Sequence, residues 1–275
     1  MTRHTVFHAS DLHLGLAGGP ERSRAAAAAW EEFARAVAEI EPDLVILSGD
    51  LVVDDPDDEA DQRNARRLIS ALPAHVVVVP GNHDVGDHPH RADLPLDWHG
   101  KLVTDERVER WEETWGPSFR LDSHGDWDLL ALNSQLLGSG MAREAQQWQW
   151  LEQVALPAIA SRPFLLVTHE SLDTRPDTSG SDSWMSIPSE ASGRLVRLLR
   201  GRNLLAACAG HTHRHLEWSH DGIRAITAPS LAGPIPVRPD MAQAAGDPAS
   251  GWLSYTLDPA GGLTVAHHAL TAHLA

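Results

Sequence analysis

Short apolar runs set the rhythm of this chain. TVFHAS (5–10), LVILS (44–48), HVVVV (75–79), LLAL (129–132), FLLVT (164–168) and LLAAC (204–208) have the length and composition of buried strands. Between them, residues 21–40, 57–72, 105–115, 142–156 and 189–201 read as helices. Pro56 followed by Asp57, Asp58 and Glu59 marks a helix start, with acids facing the positive end of the dipole, and Pro157 marks the stop of the fourth helix. Alternation of strand and helix predicts an α/β fold with a largely parallel first sheet. Near the end, GIRAITAPS, WLSYTL and LTVAHHAL follow one another without helices, which predicts a second sheet. No shift in composition divides the chain, so a single domain over 1–275 is expected.

Charge and cysteine content narrow the partners. The net charge of −16 repels phosphate backbones, so neither nucleic acid nor a membrane surface is expected as a general partner. Cys208 is the only cysteine and lies in the apolar LLAACAG, where a buried structural thiol is expected. The opening MTRHTVFHASDLHLG lacks an apolar signal core and no run reaches 18 apolar residues, so a soluble, cytoplasmic protein is expected. The oligomeric state is not readable from the sequence.

Five polar clusters each follow an apolar run: Asp11-Leu-His13, Gly49-Asp50, Gly81-Asn82-His83-Asp84, His169, and Gly210-His211-Thr-His213. In open α/β sheets the carboxyl ends of strands are where ligand sites form. Period-two spacing places Asp11 with His13, and His211 with His213, on one face of a strand end. The glycines before Asp50, Asn82 and His211 permit tight turns and close backbone approach. Two carboxylates, one amide and up to five imidazoles exceed the roughly four ligands of one tetrahedral zinc. They suit two metal ions about 3.5–4 Å apart that share a bridging carboxylate.

The ordered set DLH, GD, GNHD, H and GHTH resembles the calcineurin-like metallophosphoesterases, and the likeness runs from residue 5 to about 230. RWEETWGPSF followed by WDLLALNSQ is similar to the bacterial cyclic-nucleotide and glycerophosphodiester phosphodiesterase branch. The resemblance implies a four-layer αββα sandwich with two mixed sheets and a binuclear site at the carboxyl edge of the strands. It implies that Asp11, His13, Asp50 and His213 hold the first metal, and that Asp50, Asn82, His169 and His211 hold the second, with Asp50 bridging. His83 would face the leaving-group oxygen and Asp84 would orient a neighbour. Two divalent ions, Mn²⁺, Fe²⁺ or Zn²⁺, would lower the pKa of bound water toward ~7 and supply hydroxide for in-line attack, with His83 as general acid.

Departures from the family pattern are specific. Val53 stands where purple acid phosphatases carry a ligand tyrosine, which excludes that coloured branch, and where other branches place an aspartate to pair with the catalytic histidine. Asp54 or Asp84 is the substitute available here. His169 is followed by ESLD, so the lip of the site differs from the commonest branch pattern. His88, His90 and His99 lie in the stretch after GNHD, which reads as a solvated loop or, alternatively, a substrate-facing lid. Three loops are expected to set the substrate: 85–100 with Arg91 and Trp98, 171–188 with Arg175, Trp184 and Met185, and 232–250 with Arg238. Few cations lie near the motifs, Lys101 being the only lysine, so a small phosphodiester is favoured as substrate. The alternatives are a phosphomonoesterase, a DNA nuclease, or a scaffold that has lost catalysis. All seven ligand positions hold competent residues, which argues against the last.

Overall fold

The computed structural model describes residues 3–15, 19–52, 55–89, 101–172, 185–235, 247–258 and 262–271. In chain order the strands are β1 (His4–Ala9), β2 (Leu44–Leu47), β3 (Val76–Val78), β4 (Arg120–His124), β5 (Trp127–Ala131), β6 (Phe164–Val167), β7 (Leu204–Ala209), β8 (Leu216–His220), β9 (Ile223–Thr227), β10 (Gly251–Leu257) and β11 (Leu263–Ala269). The helices are α1 (Gly19–Ile40), α2 (Glu59–Ile69), α3 (Asn82–Val85), α4 (Asp105–Trp115), α5 (Ala142–Trp150), α6 (Leu156–Ile159) and α7 (Ser189–Leu199).

Two sheets result, ordered β11-β10-β1-β2-β3 and β4-β5-β6-β7-β9-β8. β1, β2 and β3 run parallel, as do β5, β6, β7 and β9, while β10, β11, β4 and β8 are antiparallel additions. Alternation along each strand builds the layers. Val6, Leu44, Ile46 and Val77 point inward to meet Leu129, Leu165, Val167 and Cys208 of the second sheet. Their neighbours Phe7, Val45, Leu47 and Val78 point outward against Trp30, Phe33 and Val37 of α1, Ala65 and Ile69 of α2, and Val108 and Trp111 of α4. On the opposite outer face Leu130, Phe164, Leu166 and Ala207 receive Trp148 of α5 and Leu195, Val196 and Leu199 of α7. Helical spacing of about 3.6 residues places these apolar groups on one stripe of each helix. The expected αββα sandwich is therefore observed.

Three expectations are corrected. The strand-rich end of the chain does not form a sheet of its own. β10 and β11 extend the first sheet through β1, and β8 and β9 finish the second, whose centre comes from the middle of the chain. Pairing between β1 and β10 joins segments far apart in sequence, which local pattern does not report. Second, α2 begins at Glu59, because the Asp58 side chain caps it by accepting from Ala60 N at 2.8 Å and Asp61 N at 3.1 Å. Third, Pro157 does not stop the fourth helix. A π-helical turn over Leu151–Ala155 carries the chain from α5 into α6, where Pro157 sits in the first turn. A proline lacks only an N–H that a first turn leaves unpaired. The chain leaves that helix at Ala160, which has φ 50°. Cys208 is buried, as expected, and burial pushes its thiol up to about 12.

Candidate metal centre

Parallel register brings the ends of β1, β2 and β3 side by side, Ala9 pairing with Leu47 and Leu47 with Val78. The loops beyond β1 and β2 remain zipped: Asp11 N donates to Gly49 O at 3.0 Å and His13 N to Asp50 O at 3.0 Å. Strand alternation does not continue into them. Asp11, His13, Asp50, His211 and His213 all adopt left-handed backbone, with φ between 45° and 65°. These residues converge through turns, and the period-two reading of their spacing is corrected accordingly. Non-glycine residues in this region carry backbone strain that the surrounding structure must hold. The site glycines leave no room for a β-carbon, Gly81 because one would lie 2.2 Å from Asp50 Oδ1. Gly49 has φ 95° and a β-carbon there would press on the His169 ring, while one at Gly210 would overlap Ser10 Oγ.

The side chains form a buried, linked cluster. Asp11 Oδ2 accepts from His211 N at 2.9 Å, and its Oδ1 lies 3.2 Å from His213 Nε2. Asp50 Oδ1 accepts from His83 N at 3.0 Å, and its Oδ2 lies 3.4 Å from His169 Nε2 and 3.7 Å from His83 Nε2. His169 Nε2 faces Asn82 Oδ1 and His211 Nδ1, each at 3.1 Å. Three sets of potential ligand atoms gather tightly: Asp11, His13 and His213; Asp50, His169 and His211; and His13, Asp50 and His83. The first holds three of the four residues expected at one metal, without Asp50, and the second three of the four expected at the other, with Asn82 Oδ1 3.1 Å from His169 Nε2. The third adds His83, whose ring stands edge-on to His13 with centroids 4.8 Å apart.

The donor chemistry fits cations. His13 Nδ1 is 3.1 Å from Val52 O, His169 Nδ1 is 2.7 Å from Ser48 O, and His213 Nδ1 is 2.6 Å from Gly233 O. A carbonyl accepts only, so each Nδ1 carries the proton and each Nε2 presents a lone pair. The lone pairs of His13 and His213 then face each other at 3.3 Å, and that of His169 faces the Asn82 carbonyl oxygen. Facing acceptors in a buried site require a positive charge between them. Where that charge is a proton, His169 must hold it. Burial opposes this, but Asp50 and Asp11 prevail and lift the imidazole to about 10. Asp50 shows the converse: burial favours its neutral form, yet His169 and His83 hold its carboxyl well below the usual range.

Asp84 and His88 are arranged differently from their neighbours. Asp84 Oδ1 accepts from Leu51 N at 3.0 Å and Val52 N at 3.3 Å, and Oδ2 accepts from Gly81 N at 2.8 Å. Its carboxylate thus ties the loop after Asp50 to the turn before Asn82. Burial and the Asp50 charge raise its carboxyl to about 7 in spite of those amides. His88, read from sequence as a solvated loop or lid residue, is fully buried. Its Nε2 lies 3.0 Å from Glu170 Oε2, and Glu170 Oε1 accepts from Gln135 Nε2 at 3.0 Å. Glu170, in the ESLD departure, therefore faces the interior, where a partner for its charge is required. Sequence reasoning also passed over His8, which sits inside β1 with Nδ1 2.6 Å from Tyr255 OH and Nε2 2.7 Å from Ser48 Oγ. A histidine within an apolar strand was the available signal. Val53, Asp54, His90, Arg91, Trp98, His99, Arg175, Trp184 and Arg238 lie outside the described residues.

Comparison with known proteins agrees with this geometry. The sequence profile of the calcineurin-like phosphoesterases matches residues 4–215, a span that contains all seven candidate ligands. A cAMP/cGMP dual specificity phosphodiesterase of Mycobacterium tuberculosis is 28% identical over 221 residues, covering 76% of this chain but only 62% of that protein. A probable cyclic nucleotide phosphodiesterase of Psychrobacter arcticus is 26% identical over 234 residues, covering 82% of this chain and 79% of the relative. Among solved structures, a dimetal phosphatase from Danio rerio superposes with a TM-score of 0.61 at 13% identity, covering 97% of this chain and 96% of that one, which bears on the fold alone. The chain belongs to the calcineurin-like phosphoesterase family, a family of metal-dependent phosphoester hydrolases.

Proposed function

We propose that this protein is a metal-dependent phosphodiesterase acting on small phosphodiesters, with cyclic nucleotides as the first class to test. The observation that carries the reading is the gathering of Asp11, His13 and His213 beside Asp50, His169 and His211, at the edge where both sheets end. The cyclic nucleotide phosphodiesterases among the relatives supply the substrate class. The proposal includes a single catalytic domain over the whole chain and a cytoplasmic place for it, since that is where such substrates occur.

Asp11, His13, Asp50 and His213 would hold one divalent ion and Asp50, Asn82, His169 and His211 a second, with Mn²⁺, Fe²⁺ and Zn²⁺ all compatible with these donors. Bound divalent ions supply positive charge to phosphoryl oxygens and lower the pKa of water toward ~7. The chain's own residues do the rest. Backbone carbonyls of Val52, Ser48 and Gly233 fix the tautomers of His13, His169 and His213 so that their Nε2 atoms point inward, while His211 presents Nδ1. The Asp84 carboxylate braces the Asp50 loop against the Asn82 turn. His83, anchored through its backbone N–H to Asp50, carries the proton that the departing alkoxide needs. The deciding experiment is kcat/KM of metal-reconstituted protein on matched esters, with 3′,5′-cyclic AMP, glycerophosphodiesters, phosphomonoesters and duplex DNA in the panel. Preference for monoesters or cleavage of DNA at physiological salt would overturn the reading.

A further inference from the structure

α2 and α4 enclose a cavity of about 290 Å³ whose wall includes none of the candidate metal ligands. Each helix supplies two arginines to it at i, i+3 spacing: Arg63 and Arg66 from α2, Arg107 and Arg110 from α4. In a chain of net charge −16 with one lysine, four guanidinium groups around a single cavity form a local inversion of charge. Asp57, Glu59 and Asp84 oppose them, but Lys101 also bonds Asp57, so the cations remain in excess.

The hydrogen bonds divide the arginines. Arg107 is committed to structure: Nε and Nη2 clasp the two oxygens of Asp57 at 3.0 and 2.8 Å, and Nη1 donates to Leu102 O. Each of the other three uses one nitrogen. Arg63 Nη1 bonds Glu59 at 2.9 Å, Arg66 Nη1 bonds Thr114 O at 2.7 Å, and Arg110 Nη2 bonds Asp57. Their remaining guanidinium nitrogens have no partner among the described residues. Trp111 also lines the cavity, and its buried indole N–H has no acceptor among the described residues.

We propose that this cavity binds a small phosphomonoester, its phosphate held by Arg63, Arg66 and Arg110. Guanidinium forks from two facing helices reach oxygens on different sides of a ligand. A tetrahedral phosphate offers three such oxygens, whereas a carboxylate offers two in one plane. A bare ion would leave most of the volume unfilled, and that volume is close to that of a small-molecule pocket. The one residue the wall shares with the strand-end motifs is Asp84, whose oxygens are already engaged by backbone amides.

The test is calorimetric titration of the metal-loaded protein with 5′-AMP. Four proteins are compared: wild type, Arg66→Ala/Arg110→Ala, Gln62→Trp, and Asp50→Asn. Gln62→Trp fills the cavity wall without removing charge, and so covers the case in which the double arginine variant does not fold. The expected result is that Asp50→Asn keeps one class of AMP site, and that both cavity variants weaken that class at least about tenfold. AMP affinities within twofold of wild type in both cavity variants, or complete loss of AMP binding in Asp50→Asn, would overturn the proposal. Because the readout is binding and not turnover, it stands apart from the hydrolytic reading.

Discussion

His169 donates its Nδ1 proton to the carbonyl oxygen of Ser48 at 2.7 Å, and that bond makes its Nε2 a lone-pair donor toward Asp50, Asn82 and His211. Ser48 is held in turn: its Oγ meets His8 Nε2, and His8 Nδ1 meets Tyr255 OH. A buried line of polar groups therefore runs from between the sheets to the candidate metal ligands.

This line predicts a pH dependence of stability. Burial pushes the His8 imidazole down to about 3, so between about 3 and 6.5 the unfolded chain binds a proton that the folded chain refuses. The stability His8 contributes is full above pH 6.5 and is lost as pH falls. His169 acts with the opposite sign in metal-free protein: lifted to about 10, its contribution is present below 6.5 and is lost as pH rises. In urea unfolding of the metal-free protein, His8 should add stability as pH rises toward 6.5 and His169 should remove it above that. His8→Gln should flatten the acid limb by up to about 1.4 kcal/mol per pH unit. An unchanged slope would show that His8 is not a buried neutral group.

Asp50 groups with His169 and His211 on one side and with His13 on the other, and as the proposed bridge its loss should be felt by both ions. Elemental analysis should find two equivalents of divalent metal in wild type. Asp50→Ala should lose more metal than His13→Ala or His211→Ala. A fully active wild type with one equivalent would reject the binuclear reading.

His83→Ala should fold, retain metal and lose about 10²–10⁴-fold in kcat, the usual range for a general acid. The loss should shrink for aryl esters, whose leaving groups need little protonation. Equal losses for aryl and alkyl esters would contradict the proton-donor role.

Asp84→Asn replaces an oxygen that accepts from Gly81 N with a group that donates. It should lower thermal stability by about 1–3 kcal/mol, the cost of a mismatched buried polar contact. It should reduce kcat equally for aryl and alkyl esters, which separates bracing from proton transfer. Leaving-group-dependent losses like those of His83→Ala would assign Asp84 to the chemistry itself.

Glu170 has no exposed surface and bonds both His88 and Gln135. Glu170→Ala should cost about 3–5 kcal/mol in urea unfolding, the range for breaking a buried pair. A loss below about 0.5 kcal/mol, as for an exposed pair, would place Glu170 at the surface.

Local pattern carried much of this protein. Apolar runs mark the central strands, and the polar clusters after them contain Asp11, His13, Asp50, Asn82, His83, His169, His211 and His213. This worked because strand burial and turn-forming glycines act over a few residues. What depended on distant segments was decided only by the tertiary structure. β10 joined the first sheet beside β1 because backbone pairing has no fixed sequence separation. Asp11 and His13 converged through left-handed turns held by Gly49 O and Asp50 O, contacts that strand periodicity cannot encode. His88 is an interior residue whose Nε2 meets the buried Glu170, a contact 82 positions apart in sequence that local pattern cannot report. Side-chain chemistry is written in the sequence. Tautomer, orientation and burial depend on which carbonyl or carboxylate lies opposite, and only folding sets those distances.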